Sequence, residues 1–315
     1  MKRQNTAFVT GVAGFCSRHL VAHLLDEGYN LTGLDRESLP NSAFQVYGGD
    51  VLDTAQLAGI LGQVQPDVVF HLAALTNPRL DYQTLHRVNA LGTLSLLDAV
   101  RQTCPHAVVL TTGSSAVYGR VSASGLPIAE DQPFHPTNPY AVSKVAQEMV
   151  AYQQFAQHSL RVICTRAFNI TGPGENANFA TSAFARQIAE IEAGLREPVI
   201  ETGNLDAVRD FSDVRDVVRA YRLLGERGEP GEVYNVCSGQ GTAIRRILDI
   251  LLELAKTPDI SIQLDPDRLQ PADVPIQVGD STRLRALTGW KPAIPLRQTL
   301  QDVLDFWRQR IAGGV

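Results

Sequence analysis

The stretch TGVAGFCSRHL, residues 10–20, decides how the rest of the sequence is interpreted. It follows an apolar run typical of a buried strand and leads into residues 15–27, whose apolar side chains have helical spacing. Gly11 and Gly14 match the first two glycines of a dinucleotide-binding loop, which allow a tight turn and a close approach of pyrophosphate. Ser17 stands at the third glycine position. Because that glycine mainly serves helix–strand packing, we expect the anion site at the helix N-terminus to persist.

Short apolar runs alternate with helical stretches through the first half of the chain. Further strands are predicted at 30–35, 43–50, 67–73, 107–115 and 160–168. This rhythm predicts an α/β fold with a doubly wound parallel Rossmann sheet. We predict a dinucleotide-binding domain from 1–170 with a return segment at 211–238, and a smaller irregular α/β substrate domain from 171–210 and 239–315. A loop is expected at 258–275, which is rich in Pro and Asp.

The composition excludes several classes of protein. The 315 residues carry a net charge of −5 without a basic cluster, which argues against nucleic acid as a partner. No apolar run is long enough for a membrane span, and no signal peptide is recognised. The four cysteines (Cys16, Cys104, Cys164, Cys237) form no Cys-x-x-Cys pair, so we expect reduced thiols in a cytoplasmic protein.

Charged residues at strand ends point to the nucleotide. Asp35 ends the second predicted strand, where a carboxylate would accept the ribose hydroxyls of NAD. Arg36 follows it and suits the 2′-phosphate of NADP, so both cofactors stay open, with NAD slightly favoured. Asp50 and Val51 end the third strand, where a side chain would meet the adenine edge. The alternative for these charges is a solvated turn.

The spacing of Tyr140 and Lys144 indicates a proton-transfer pair. Four residues apart on a predicted helix, they lie on one face. A phenol has a pKa of about 10, which a neighbouring ammonium and an oxidised nicotinamide would lower. Ser114, at the end of the fifth predicted strand, could bind the substrate oxygen. The alternative is an exposed pair on a helix.

Seven segments match one family in order: TGVAGFCS, DV (50–51), HLAA (71–74), VNALGT (88–93), SSAVYG (114–119), YAVSK (140–144) and RAFNITGPGE (166–175). With them the sequence resembles the extended short-chain dehydrogenase/reductase family. The resemblance implies Tyr140 as catalytic acid/base, Lys144 as its tuner and Ser114 as oxyanion partner, with Asn89 as a structural residue of the relay. The cofactor contacts that it implies are Gly11, Ala13, Gly14, Phe15, Cys16, Asp35, Arg36, Asp50, Val51, Leu72, Ala73, Ala74, Asn89, Tyr140 and Lys144.

Two predicted helices indicate that the protein forms a homodimer. In the resembled family, helices such as 84–103 and 139–157 form a homodimer seam. Their apolar positions include Leu94, Leu97 and Met149, and ordinary core is the equally open alternative. We therefore predict a homodimer.

The second half of the chain resembles the branch of that family acting on GDP-6-deoxyhexoses, through AFARQIAEIEAG, GNLDAVRDFSDVRDVVRAY, VYNVCSG and TGWKP. This implies NAD(P)H-dependent reduction of the C4 ketone of GDP-4-dehydro-6-deoxy-D-mannose to GDP-D-rhamnose. It also implies that Ser114, Asn169 and Arg209 contact the sugar nucleotide. The guanidinium of Arg209 suits a diphosphate, although an ion pair with a nearby aspartate is the alternative.

One departure from the branch concerns the chemistry. Related 4,6-dehydratases carry a glutamate that abstracts the C5 proton, where this chain has Ala116. A reductase does not need that base. A C4 epimerase stays open, as does a 4,6-dehydratase in which Glu130 or Asp131 supplies the base. A cofactor-sensing protein without turnover is the alternative from another class.

Other departures concern ligands. Gln270 and Asp273 occupy a segment in which the branch carries Arg-Pro-x-Glu/Asp near the nucleoside, and Arg268 could replace that arginine. His19 and His23 are four residues apart on the first helix, but we expect solvent or packing roles for them rather than metal binding.

Overall fold

The structure is a computed structural model that describes residues 5–37, 39, 42–77, 80–266 and 274–314. Its strands are β1 (Thr6–Thr10), β2 (Asn30–Asp35), β3 (Gln45–Gly48), β4 (Val68–His71), β5 (Val108–Ser114), β6 (Arg161–Ala167), β7 (Asn169–Thr171), β8 (Val199–Thr202), β9 (Val208–Asp213), β10 (Val233–Val236), β11 (Gly241–Ala243), β12 (Ser261–Leu264) and β13 (Ile276–Gln277). Its α-helices are α1 (Phe15–Asp26), α2 (Thr54–Val64), α3 (Tyr82–His86), α4 (Gly92–Thr103), α5 (Pro139–His158), α6 (Ala180–Glu192), α7 (Val214–Arg227), α8 (Ile244–Leu254), α9 (Thr282–Thr288) and α10 (Leu296–Ala312).

Seven strands form one parallel sheet in the order β10-β6-β5-β4-β1-β2-β3. The chain builds outward from β1 to β3 on one side and from β4 to β10 on the other. The direction of winding therefore reverses between β1 and β4, and ligands of such sheets bind at the carboxyl ends of the strands beside that reversal. The predicted doubly wound parallel sheet is confirmed.

Helices cover both faces of this sheet. On one face α1 packs against α7, and Leu20, Leu24, Val217 and Leu224 are completely buried between them and the strands. On the other face α2, α4 and α5 pack together. Each fully buried leucine side chain contributes about 1.5–3 kcal/mol relative to exposure, so the sheet is a stiff support for the loops at its edge.

Helix α5 begins and ends at residues suited to those positions. The side chain of Asn138 accepts a hydrogen bond from the backbone N–H of Ala141 at 2.9 Å, and Pro139 occupies the first turn, where its missing N–H costs nothing. The helix stops at Ser159, whose φ of +56° is left-handed. Both Tyr140 and Lys144 lie on this helix near its start.

The predicted helix near 84–103 is interrupted. Between α3 and α4, residues 87–91 form a π-helical turn, which holds Asn89 and Ala90 in buried positions. One extra residue per turn changes the direction in which the following side chains point, and such turns are frequent at functional sites.

A smaller layer follows β7. Helices α6, α8 and α10 enclose a second apolar core, and short strands form the sheets β11-β9-β13 and β12-β8, with β7 also paired to β9. The loop predicted over 258–275 is partly wrong, because Ser261–Leu264 pairs with β8 as a parallel strand. All four of its residues are exposed, so no buried face gave a signal in the sequence.

The domain boundaries stay a prediction, but the packing shows where the chain returns to the large sheet. Strand β10 forms its edge beside β6, and α7 packs on the α1 face. Leu284 and Trp290 also lie in the core beneath that sheet, although the prediction assigns their segment to the second domain. In the described part of the chain, no helix combines the length and apolar character that crossing a membrane requires.

Candidate active site

The glycine loop after β1 depends on two positions without a side chain. Gly11 has a φ of +74°, and a Cβ there would lie 2.8 Å from the Cα and N of Ala73. Gly14 caps α1, and its N–H donates to the carbonyl of Gly11 at 3.0 Å. Ser17 is buried in the first turns of α1, and its Oγ would stand 3.6 Å from a Cβ placed on Gly14. Serine thus fits beneath the loop without opening it.

Asp35 holds this loop in place. One carboxylate oxygen accepts from the N–H of Ala13 at 2.8 Å, and the other accepts from the N–H of Glu37 at 3.0 Å. Each carboxylate oxygen has a second lone pair, so the group can still accept ribose hydroxyls. Arg36 is exposed beside it. The two neighbouring residues Asp35 and Arg36 therefore offer an acceptor for hydroxyl groups and a positive charge at the rim of the same cleft.

That cleft has a volume of about 240 Å³ and lies at the carboxyl ends of β1, β2 and β4. The predicted cofactor residues among its lining are Gly11, Ala13, Gly14, Asp35, Arg36, Asp50, Val51, Leu72, Ala73 and Ala74. The loop at its base suits the phosphates of a dinucleotide, which would meet the first N–H groups of α1. Phe15 and Cys16 form the first turn of that helix.

Asn89 is a positioning residue in this structure. Its Oδ1 accepts from the N–H of Leu75 at 2.8 Å, and its Nδ2 donates to the carbonyl of Leu75 and to the Oγ of Ser143. It therefore ties the loop after β4 to α5. Both amide hydrogens bind protein groups, which agrees with the implied structural role of Asn89, and its contact with the cofactor stays a prediction.

Ser114, Tyr140 and Lys144 come together where β5 ends against α5. A hydrogen bond joins the side chains of Ser114 and Tyr140, and Lys144 Nζ lies 6.0 Å from the centroid of the Tyr140 ring. Lys144 Nζ donates to the carbonyl of Thr112 at 2.8 Å and to Gln147 Oε1 at 2.8 Å. The three predicted catalytic side chains thus share one corner of the fold.

Burial shifts the pKa values at this corner. Burial raises the pKa of Tyr140, which the hydrogen bond with Ser114 opposes and the nearby Cys16 reinforces. Burial also lowers the pKa of Lys144 to about 7. In the chain alone, burial disfavours the phenolate and this effect is the larger one. The predicted lowering of the pKa by the ammonium together with an oxidised nicotinamide stays a prediction. At neutral pH Tyr140 is protonated, as an ordinary phenol is, and this is the form that a proton donor needs.

The substrate-side residues lie on adjacent short strands. Asn169 begins β7 and pairs with Phe211 on β9, two residues after Arg209. Arg209 is half-buried, and its Nη1 donates to the carbonyl of Val208 at 2.9 Å. The alternative role for Arg209 is an ion pair with a nearby aspartate. Of these aspartates, Asp210 accepts a hydrogen bond from Ser238, and Asp213 accepts one from Arg215. Gln270 and Asp273, with Arg268, lie outside the described residues.

Glu130 has a structural position. Its Oε1 accepts from the N–H of Asn235 at 2.8 Å, and its carbonyl accepts from Arg166 at 2.7 Å. Arg166 also makes a bidentate pair with Glu148 on α5. One oxygen of the Glu130 carboxylate is thus bonded to the backbone of β10, and Asp131 is exposed. The dehydratase alternative that uses either residue as a base stays a prediction.

Three histidines near the site bind protein groups. His19 contacts the carbonyl of Pro173 at 2.9 Å, and His23 accepts from Arg222 Nε at 3.1 Å. His71 is bonded to Thr10 and Thr93, and burial with the charge of Lys144 lowers its pKa to about 3. No cluster of metal-ligating side chains occurs among the described residues.

The sequence analysis missed Gln147 and Glu175. Gln147 lies three residues after Lys144, a helical spacing that could have revealed the contact. Glu175 is buried, with Thr171 and Thr181 donating to one carboxylate oxygen at 2.8 and 2.6 Å. Burial raises its pKa to about 7. Burial, reinforced by the charge of Glu175, raises the pKa of Cys16 to about 12. No local pattern marks such a carboxyl.

Known proteins share this arrangement. The family described as GDP-mannose 4,6 dehydratase matches residues 8–303. A GDP-6-deoxy-D-mannose reductase of Pseudomonas aeruginosa is 38% identical over 308 residues, which cover 96% of this chain and 97% of the relative. The solved structure of RMD from Pseudomonas aeruginosa with NADPH is 36% identical, with a TM-score of 0.87 over 98% of this chain and 100% of that one.

A third similar protein has been solved with NAD bound. The Thermus thermophilus UDP-glucose 4-epimerase in complex with NAD is 27% identical, with a TM-score of 0.84 over 96% of this chain and 99% of that chain. The chain therefore belongs to the GDP-mannose 4,6-dehydratase family of NAD(P)-dependent nucleotide-sugar enzymes, within the extended short-chain dehydrogenases/reductases.

Proposed function

We propose that this protein reduces the C4 ketone of a nucleotide-linked 6-deoxyhexose with NAD(P)H, converting GDP-4-dehydro-6-deoxy-D-mannose to GDP-D-rhamnose. The observation that carries the proposal is the corner of Ser114, Tyr140 and Lys144 beside the dinucleotide cleft, with Ala116 where a dehydratase needs an acid. The similarity to a GDP-6-deoxy-D-mannose reductase supports the choice of substrate.

Side chains of the protein supply the proton and stabilise the oxygen of the C4 ketone. The cofactor supplies hydride when it is bound. Tyr140, which is protonated at neutral pH, donates a proton to the oxygen that was the ketone, and the Ser114 hydroxyl stabilises the negative charge forming there. Lys144 provides a positive charge on the same helix face. Asn169 and Arg209 would bind the sugar nucleotide, with Gln270 and Asp273 assigned to its nucleoside end.

The cofactor site supports both nicotinamide nucleotides. The N–H groups at the start of α1 would hold the pyrophosphate, and Asp35 would accept hydroxyls of the adenosine ribose. Arg36 is exposed at the cleft rim, where it could pair with the 2′-phosphate of NADPH. We infer that NADH and NADPH are both used, with Arg36 deciding the preference for the phosphorylated form.

A second copy of the chain is the proposed protein partner. Tyr82, Leu91, Met149 and Tyr152 are 44–54% exposed, and they come from the segments α3 to α5 that pack together. Large apolar side chains grouped on helices favour an interface with a like surface. All four cysteines are free thiols, which supports a cytoplasmic location.

The test is incubation of purified protein with GDP-4-dehydro-6-deoxy-D-mannose and NADPH or NADH. We expect stoichiometric loss of reduced cofactor and formation of a GDP-6-deoxyhexose. Absence of oxidation with GDP-, UDP- and dTDP-linked 4-keto sugars would reject the reductase. Interconversion of C4 epimers with tightly retained NAD would establish the epimerase, and release of a keto sugar from GDP-mannose would establish the dehydratase.

A further inference from the structure

The ammonium of Lys144 is held in a small closed arrangement. Its Nζ donates to the carbonyl of Thr112 and to Gln147 Oε1, both at 2.8 Å, and Gln147 Nε2 in turn approaches the Thr112 carbonyl at 3.4 Å. The Lys144 and Gln147 residues are only 3% and 2% exposed. Because an ammonium has three hydrogens, one remains for another acceptor.

Both of these partners are neutral. The titratable groups near Lys144 are Tyr140 on its own helix and His71 on β4. Glu148, four residues further along α5, is paired with Arg166. His71 stays uncharged because its pKa is lowered to about 3. A buried ammonium held by carbonyl dipoles alone keeps its field uncancelled but gives up its proton more readily, which agrees with its pKa of about 7.

The arrangement also fixes two elements relative to each other. Thr112 lies on β5 two residues before Ser114, and its Oγ1 donates to the carbonyl of His71 at 3.0 Å. Gln147 lies one helical turn beyond Lys144 on α5. The Lys144–Thr112 bond therefore joins the strand that carries Ser114 to the helix that carries Tyr140.

We propose that Gln147 is a positioning residue for the reaction: its amide oxygen holds the Lys144 ammonium against Thr112 and leaves that charge free of any carboxylate. The ammonium then acts on Tyr140 and on the cofactor. This inference rests on the proposed function for its catalytic consequence, but the state of Lys144 can be measured without substrate.

The test uses three variants of the full chain. Gln147→Glu places a carboxylate on the ammonium, and Gln147→Met removes the carbonyl acceptor while keeping the length of the side chain. Gln154→Met is the matched control, because Gln154 is a buried glutamine on the same helix and its Oε1 has no hydrogen-bond partner in the described structure.

The first measurement is a pH titration by NMR of protein labelled at lysine Cε. The chain has only four lysines, Lys2, Lys144, Lys256 and Lys291, so the signals can be assigned by substitution. We expect the Lys144 midpoint near pH 7 in the wild type. In Gln147→Glu it should rise by about one pH unit or more, in Gln147→Met it should fall, and in Gln154→Met it should stay.

The second measurement is the pH profile of kcat and of KM for reduced cofactor. We expect the alkaline limb of the kcat profile to move to higher pH in Gln147→Glu and to lower pH in Gln147→Met, with about a tenfold loss of kcat at pH 8 in the latter.

An unchanged Lys144 midpoint in both Gln147 variants would overturn the inference. A wild type that titrates as expected yet reduces no sugar nucleotide would refute the proposed function alone. If Gln147→Met does not fold, Gln147→Glu still decides the matter by its midpoint.

Discussion

The two halves of the site are built in different ways. The nucleotide side is made mostly of backbone: the turn at Gly11, the start of α1, and a carboxylate from Asp35 that braces the loop at Ala13. The chemical side is made of side chains from β5 and α5, whose properties depend on burial and on their neighbours. On the first side the structure limits the space for side chains at Gly11, whereas on the second it sets the proton affinities of Tyr140 and Lys144.

The largest effect is expected from the chemical side. Replacing Tyr140→Phe removes the proton donor but keeps the ring, so kcat should fall by roughly 10²–10⁴ with little change in the Kd for NADPH. Steady-state oxidation of NADPH and a fluorescence titration measure the two quantities. Tyr47→Phe, on β3, is the matched control and should behave as wild type. A Tyr140→Phe variant that retains full kcat would contradict the assigned role.

The next effect is expected from the backbone side. In Gly11→Ala the new Cβ would meet the Ala73 backbone at 2.8 Å, at a φ of +74°. Strain and loss of the loop geometry should cost about 1–3 kcal/mol of unfolding free energy and weaken cofactor binding by roughly a hundredfold. Calorimetric titration and urea denaturation test this prediction.

Gly59→Ala provides the control for that change. Gly59 lies within α2, and a Cβ there meets nothing within 4 Å. Alanine should stabilise the protein by up to about 1 kcal/mol and leave cofactor binding unchanged. If both substitutions lowered the free energy of unfolding and the cofactor affinity equally, the absence of a side chain at Gly11 would not be a requirement of the loop.

A smaller effect should separate the two cofactors. Arg36→Ser removes the cation at the cleft rim, so the KM for NADPH should rise about tenfold, while that for NADH changes little. Arg101→Ser, at an exposed residue paired with Asp98, serves as the control. A parallel rise for both cofactors would argue that Arg36 does not contact the 2′-phosphate.

The smallest effect concerns Glu175. Its folded pKa of about 7 lies above the ordinary value of 4.5, so the native state binds more protons than the unfolded state between these values. The stability that this group contributes is therefore complete below pH 4.5 and lost as the pH rises through about 7. Glu175→Gln should flatten this fall, with a gain of about 1–2 kcal/mol relative to wild type at pH 8.

Urea denaturation from pH 5 to pH 8 measures that difference. Glu253→Gln is the control, because this carboxylate lies on the surface of α8 and pairs with Arg246 and Arg297. Parallel pH curves for wild type and Glu175→Gln would show that the buried carboxyl does not titrate in this range.

Prediction from the sequence succeeded where the signal is local. The glycine loop was found because its spacing and its flanking strand and helix lie within about twenty residues. The Tyr140–Lys144 pair was found because a spacing of four places two side chains on one helix face. Strand β12 was missed because its four residues are exposed and its partner β8 is distant in the chain.

The sequence alone therefore determined the doubly wound α/β class, the position of the dinucleotide loop and the identity of the candidate proton-transfer pair, since periodicity and short spacings are properties of neighbouring residues. Only the tertiary structure decided that Asn89 binds Leu75 and Ser143, that Glu130 is bound to Asn235, and that Lys144 lies between Thr112 and Gln147. It also showed that burial raises the pKa of Tyr140 in the chain alone. The physical reason is that hydrogen-bond partners and burial depend on which distant segments meet in the fold, and local spacing in the sequence carries no record of those meetings.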